Sequence, residues 1–227
     1  MLTGSRQRLS TVTVSPTLAI NDFRVTQVAT AKSLGLTMDD NLDLGSHMEK
    51  IIKKVSSGIG AIKRLRHLVP QATLQLIYQA LIHLHFNYCN TVWAGNCGII
   101  LRNKLQNYKI EQHVFLTFSD YNEDAGYLFE LLGRKNLACQ DETEKATMVS
   151  KSLHGLAPEY LYSRFGIREI TYNLRDAENK LCIPLPRTNY YNNSFSYSSA
   201  ILWNKLPCNV RQAQSLTKFE CLLKQVL

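Results

Sequence analysis

The residues that come nearest to catalytic spacing are two adjacent carboxylates, Asp39 and Asp40, after Thr37-Met38. Paired carboxylates on a hairpin can hold two metal ions around a growing 3′ end. Such a centre also needs an aspartate from a separate strand and an aromatic residue ahead of the pair. Here Asp22 is the only upstream acid and lies in an expected turn, Thr37 takes the aromatic position, and Asn41 follows where an apolar residue would continue the strand. The pair therefore reads as acids that end a strand, and no catalytic residue is assigned. His83, His85 and Cys89 offer metal-ligand atoms, but their spacing matches no zinc pattern and a fourth ligand is missing. They read as structural, and no metal or other cofactor is expected in this chain. No GxGxxG or P-loop run is present to cradle a nucleotide.

Charge points elsewhere. The 227 residues carry a formal net charge of +8 with a sequence pI of about 9.2, a balance that favours a polyanionic partner through counterion release. The distribution is uneven. Lys50, Lys53, Lys54, Lys63, Arg64 and Arg66 share the segment 46–69 with Glu49 as its one acid, a net charge of +5. From 120 to 144, acids outnumber bases to give −5. Tyr190, Tyr191, Phe195 and Tyr197, near Arg187, are candidates for stacking on exposed bases, though packing within strands is the simpler role. Trp93 and Trp203 read as core. The six cysteines are scattered and include no CxxC pair, so reduced thiols and an intracellular, non-secreted, non-transmembrane location are expected.

The elements that must position these groups emerge from periodicity. Residues 1–44 read as strands and turns, with short runs at 11–14, 23–25 and 33–38 separated by Ser15-Pro16 and Asn21-Asp22. Ser46-His47-Met48-Glu49 fits a capping box. Met48, Ile51, Ile52, Val55, Ile59, Ile62 and Leu65 then recur at helical spacing, while Gly58 and Gly60 leave room for a second backbone. Pro70 opens a second helix with Leu74, Ile77, Tyr78, Leu81 and Ile82 inward, and a third spans about 101–117 with Leu101, Leu105, Tyr108 and Val114 inward. Further helices are expected at 123–132 and 141–153, the latter stopped by Gly155. A short helical turn near 157–161, a mixed, turn-rich stretch over 166–198 with Ile183–Pro186 extended on an edge, and a last helix near 215–226 complete the chain. The fold class is mainly α with a small N-terminal β element, divided as 1–44, a helical bundle over 45–119, and a helical and extended region over 120–227.

An ordered set of motifs carries a resemblance. It comprises Met1-Leu2-Thr3-Gly4-Ser5-Arg6-Gln7-Arg8-Leu9, Ala31-Lys32-Ser33-Leu34-Gly35-Leu36-Thr37-Met38-Asp39, Ser56-Ser57-Gly58-Ile59-Gly60-Ala61-Ile62-Lys63-Arg64 and Tyr88-Cys89-Asn90-Thr91-Val92-Trp93. It continues through Lys151–Leu161, Pro184-Leu185-Pro186-Arg187-Thr188, Ser194-Phe195-Ser196-Tyr197 and Leu202-Trp203-Asn204-Lys205-Leu206-Pro207. In this order, over essentially the whole chain, they resemble the C-terminal region of jockey-type (LINE-like) reverse transcriptases of non-LTR retrotransposons. The resemblance implies a fragment: the end of the palm, the primer grip, a thumb-like three-helix bundle and the region downstream of the thumb, without the family's catalytic aspartates or its magnesium site. It places Leu34, Gly35 and Leu36 in a primer-grip-like strand. Lys32, Lys50, Lys53, Lys54, Lys63, Arg64 and Arg66 become the contacts to an RNA/DNA hybrid or other nucleic acid, with the missing palm as a further partner. The chain departs from the family's Arg-rich run at Tyr108-Lys109-Ile110-Glu111-Gln112-His113, inserts a residue in Trp93-Ala94-Gly95-Asn96-Cys97-Gly98, and has Arg134 in place of an aromatic residue. Such drift suits a decaying copy; the alternative to a polymerase fragment is a non-functional relic or a domesticated basic nucleic-acid-binding or interaction module.

Overall fold

The computed structural model describes residues 1–13, 17–95, 98–117, 127, 132–133, 135–168 and 178–227. It is mostly helical with two small N-terminal sheets. The chain divides into two compact units, 1–89 with 97–116 and 90–96 with 117–227.

The first unit opens on a short helix α1 (Arg6–Ser10), capped where the Arg8 amide donates to Ser5 Oγ at 3.3 Å. The strand expected at 11–14 is absent over residues 11–13, and Val14 lies outside the described residues. Two antiparallel hairpins come next: β1 (Leu18–Ile20) with β2 (Phe23–Val25), and β3 (Thr30–Ser33) with β4 (Leu36–Asp39). Each closes on a two-residue turn with both φ angles positive, Asn21 (48°) and Asp22 (65°) in one, Leu34 (45°) and Gly35 (82°) in the other. This is the turn whose twist matches that of paired strands. The run 33–38, expected as one strand, is thus broken at its centre, because Leu34 and Gly35 leave the ladder to reverse the chain.

Helix α2 (Gly45–Leu65) buries Met48, Ile51, Ile52, Val55, Ile59 and Ile62, the expected stripe, while Leu65 is half-buried. Its start is not the Ser46–Glu49 capping box. Leu44 holds the cap position, and Asp43 Oδ1 accepts the Gly45 amide at 3.0 Å. Asp43 lies ahead of the helix and reaches that free amide from outside, which makes the serine redundant.

After Pro70, α3 (Gln71–Tyr78), a π-helical turn (Gln79–His83) and α4 (Leu84–Asn87) run on as one rod. Leu74, Tyr78, Ile82 and Phe86, each four residues apart, are all fully buried. A regular helix at 3.6 residues per turn would rotate this spacing off one face, and the wider π turn absorbs the drift. The same shift turns Leu81, expected inward, out to 46% exposure. α5 (Asn90–Trp93) belongs to the second unit. α6 (Ile99–Thr117) completes the first with Leu105, Val114, Phe115 and Leu116 buried; Leu101 and Tyr108, expected inward, are half-buried, and Lys109, Gln112 and His113 lie on the buried face instead. Gln71 Nε2 donates to the Leu116 carbonyl at 2.9 Å and ties off the end of this helix.

In the second unit, α7 (Leu137–Leu153) is capped by Asn136, whose Oδ1 accepts the Cys139 amide at 2.8 Å. Gly155, at φ +69°, terminates it as expected. α8 (Glu159–Tyr162) and α9 (Asn189–Asn192) are single turns. α10 (Phe195–Lys205), α11 (Cys208–Arg211) and α12 (Leu216–Val226) then enclose a core of Val149, Phe165, Trp203, Val210, Phe219 and Leu223. Trp203 and Phe219 stack at 5.6 Å between centroids. The Trp203 indole donates to the Asn179 carbonyl at 2.8 Å, and Asn204 exchanges two hydrogen bonds with Leu181. α10 replaces the turn-rich reading of 194–198, and Ile183–Pro186 lies outside any sheet, past a lone bridge between Ile167 and Leu181. The helix expected at 123–132 falls largely outside the described residues.

The two α2 glycines separate. A Cβ on Gly58 would stand 2.5 Å from Ile82 Cγ1, whereas one on Gly60 meets nothing within 4 Å. Gly58→Ala should lower unfolding free energy by about 1–3 kcal/mol through overpacking, and Gly60→Ala should raise it by about 0.5–1 kcal/mol through helix propensity. Urea denaturation of the two variants checks both signs.

Candidate functional site

The hairpin β3–β4 lies on the first half of α2 through hydrogen bonds that require no other element. The Thr37 amide donates to His47 Nδ1 at 3.4 Å, and Lys50 Nζ donates to Thr37 Oγ1 at 2.8 Å. Leu36 and Thr37 are buried at this junction. At the hairpin tip, the Tyr88 hydroxyl donates to the Leu34 carbonyl, and its ring lies 3.2 Å from where a Gly35 Cβ would be. Cys89 first, and then desolvation, raise the Tyr88 phenol above its ordinary pKa, so it remains a donor.

Between hairpin and helix lies a cleft of about 650 Å³. Lys32 enters from β3, His47, Lys50, Lys53 and Lys54 from α2, His85 from α4, and Tyr88 from just beyond it; Gly35, Thr37, Ile51 and Leu84 complete the wall. Among the described residues, no carboxylate lines it. Lys32, Lys50, Lys53 and Lys54 make no ion pair among the described residues. Their field acts on the neighbouring imidazoles. Burial, then Lys50 and Lys54, pulls His47 below the ordinary pKa of 6.5, and burial followed by Lys54 does the same to His85. Another cavity of about 710 Å³, between α1 and β2, mixes Arg24 with Asp40 and has no such bias.

The expected nucleic-acid contacts therefore split. Four of them, Lys32, Lys50, Lys53 and Lys54, converge on the cleft together with Gly35. Lys63 and Arg66 belong to a different contact: Lys63 Nζ pairs with Glu111 at 2.8 Å and sits 4.8 Å from the Phe115 ring centre, and Arg66 lies 5.7 Å from the same ring. They brace α2 against α6. Arg64 is exposed, about 15 Å further along the axis than Lys54. Of the primer-grip-like residues, Leu34 is 86% exposed and Gly35 open, whereas Leu36 faces the core. His47 and His85 are cleft residues that charge counting misses. A histidine one turn ahead of three lysines was the available signal.

The acid pair has a structural role. Asp39 Oδ1 accepts the Asp43 amide at 2.6 Å, and Asp40 Oδ1 accepts from Asn41 Nδ2 at 2.9 Å. Asp22 sits in the turn of the other hairpin. Among the described residues, no three His, Cys, Asp or Glu side chains converge on a metal position. Five cysteines, Cys89, Cys139, Cys182, Cys208 and Cys221, are unbridged. Tyr191 and Tyr197 sit 6.3 Å apart, Tyr191 exposed on α9 and Tyr197 half-buried on α10, and Phe195 packs edge-on to Phe165. They belong to helices, which corrects their strand reading. No described helix is long and apolar enough to cross a membrane.

Comparison with protein-family models, with curated proteins and with solved structures gives no match.

Because His47 accepts the Thr37 amide through an unprotonated Nδ1, the folded chain resists its protonation. As pH falls through 6.5 the unfolded chain takes up the proton first, so stability drops from there down to the lowered folded pKa. His47→Asn, which keeps an acceptor near the Nδ1 position but cannot titrate, should flatten thermal midpoints between pH ~7.5 and ~5.5, the range that brackets an ordinary imidazole. An unchanged slope would contradict this role.

Proposed function

We propose that this chain grips nucleic acid through the cleft between β3–β4 and α2, without polymerase chemistry of its own. The observation that supports it most is the convergence of Lys32, Lys50, Lys53 and Lys54 on one cleft to which no described residue brings a carboxylate. Four like charges held together repel one another. A polyanion relieves that repulsion and releases its own counterions. The motif resemblance to jockey-type reverse transcriptases makes an RNA/DNA hybrid the partner, with the β3–β4 tip against the primer backbone and the N-terminal half of α2 along the phosphates. Asp39 and Asp40 are engaged in local hydrogen bonds, which supports the reading of a binding segment related to an RNA-directed DNA polymerase rather than a catalytic centre.

With four phosphates contacted, log K for a hybrid duplex should fall with log salt at a slope of roughly −3 to −4, and each of Lys32→Gln, Lys53→Gln and Lys54→Gln should reduce that slope by about 0.9. Lys63→Gln should leave it nearly unchanged, because Lys63 is engaged with Glu111 and Phe115. Fluorescence anisotropy at several salt concentrations reads these values. A flat isotherm, or equal effects of Lys53 and Lys63, contradicts the proposal. Primer extension by the chain with magnesium should give no product.

A second reading, a decayed copy that retains no partner, draws on the β1–β2 hairpin. Its register places Leu18, Ile20, Phe23 and Val25 on one face, with Ile20 67% and Phe23 80% exposed. A lone two-stranded hairpin is marginal in water. This reading predicts broad, non-cooperative melting of the first unit and no saturable binding. A sharp transition with saturable binding excludes it.

A further inference from the structure

Lysines on any solvated face would attract a polyanion, yet this cleft also carries an open aromatic ring. Tyr88 lines it and is 51% exposed. The residue is held from two directions. Its amide donates to the Leu84 carbonyl at 3.0 Å, which keeps it in line with α4, and its hydroxyl donates to the Leu34 carbonyl at the tip of the β3–β4 hairpin. A Cβ on Gly35 would stand 3.2 Å from Tyr88 Cε1, so the tip closes on the ring edge tightly enough that a side chain at residue 35 would crowd it. The neighbouring surface is apolar: Leu34 is 86% exposed and Leu84 46%. An aromatic ring already fixed in place loses little freedom when something stacks on it. The cleft volume of about 650 Å³ is that of a small-molecule site, roughly 300–1,000 Å³. A duplex, whose bases stack on one another and show only their edges, can lie across such an opening but cannot place a base inside it.

We infer that the cleft takes an unpaired nucleotide, its base stacked on the Tyr88 ring beside Leu84 and its phosphates on the lysines. The inference rests on the polyanion reading and narrows its substrate from duplex in general to a hybrid with a single-stranded end. Base–aromatic stacking tolerates any base, because each has a π face, so the site selects for unpaired structure and not for sequence. A single-stranded end offers its base directly, whereas an internal pair must first be opened and unstacked.

The test uses the full chain and fluorescence anisotropy with a blunt hybrid, a hybrid bearing a short single-stranded overhang, and the same overhang made abasic. Intact and abasic overhangs carry equal phosphates, so the ratio of their affinities isolates the base. The native chain should bind the intact overhang about tenfold more tightly than the abasic one, the size of one base–aromatic stack. Tyr88→Phe, which keeps the ring and drops only the hydroxyl, should retain most of that ratio, and Tyr88→Leu should bring it close to one. In the native chain the intact overhang should also shield Tyr88 from a nitrating reagent and the abasic one should not, a reading that holds whether or not Tyr88→Leu folds. Equal affinity for intact and abasic overhangs, a ratio that survives Tyr88→Leu, or equal nitration overturns the stacking site and leaves the lysine grip standing. Loss of salt-dependent binding of the blunt hybrid would instead overturn the wider reading, and the comparison of intact with abasic overhangs would still decide this one.

Discussion

The docking of a two-residue-turn hairpin onto the start of a long helix is the constraint on which the rest depends. Thr37 meets it twice, its amide bound by His47 and its hydroxyl by Lys50. Without that contact Lys32 would lie on a free hairpin, and the three lysines of α2 would be an ordinary solvated face. With it, Lys32 and Lys50, far apart in the chain, share one wall. The cost is electrostatic. Burial first, and the gathered lysines after it, depress the basicity of His47 and His85, and the lysines leave the cleft biased toward an anion.

The other end of the helix shows the contrast. Lys63 and Arg66 have the same residue types and the same helical periodicity, yet Glu111 and Phe115 occupy them. A charge run is thus not one surface. Its first half meets a hairpin whose one acid, Asp39, accepts the Asp43 amide instead, and its second half meets a helix that supplies both a carboxylate and an aromatic face. The Gly58–Ile82 approach holds α2 against the π-helical turn, and so keeps His85 and Tyr88, just beyond that turn, at the rim of the cleft.

How much of this was legible in the sequence depends on the range of the interaction. The α2 stripe was readable because burial repeats with helical period, and so were the Asn21-Asp22 turn and the Gly155 stop, which rest on local backbone preferences. The capping box at Ser46 misled because Asp43, from outside the motif, supplied the acceptor first. The 33–38 run read as one strand because its apolar residues continue across Leu34-Gly35, where only a positive φ at both positions reverses the chain. α10 was missed because serines and aromatic residues alternate through 194–199 and hide its period. The inward set of the second helix slipped because the π turn changes the count per turn, which no 3.6-residue template anticipates. The cleft itself was only half visible. Its α2 lysines stood out as a run, whereas Lys32, His85 and Tyr88 come from other elements, and only tertiary packing brings them to that run.

Lysine-reactivity footprinting measures the central claim most directly. The free chain and the chain saturated with hybrid duplex are treated with an amine-acylating reagent, and modification is read lysine by lysine. The account predicts protection at Lys32, Lys50, Lys53 and Lys54, with Lys218 and Lys224 of the second unit unchanged. Uniform protection of all lysines, or protection that spares Lys32, would contradict it.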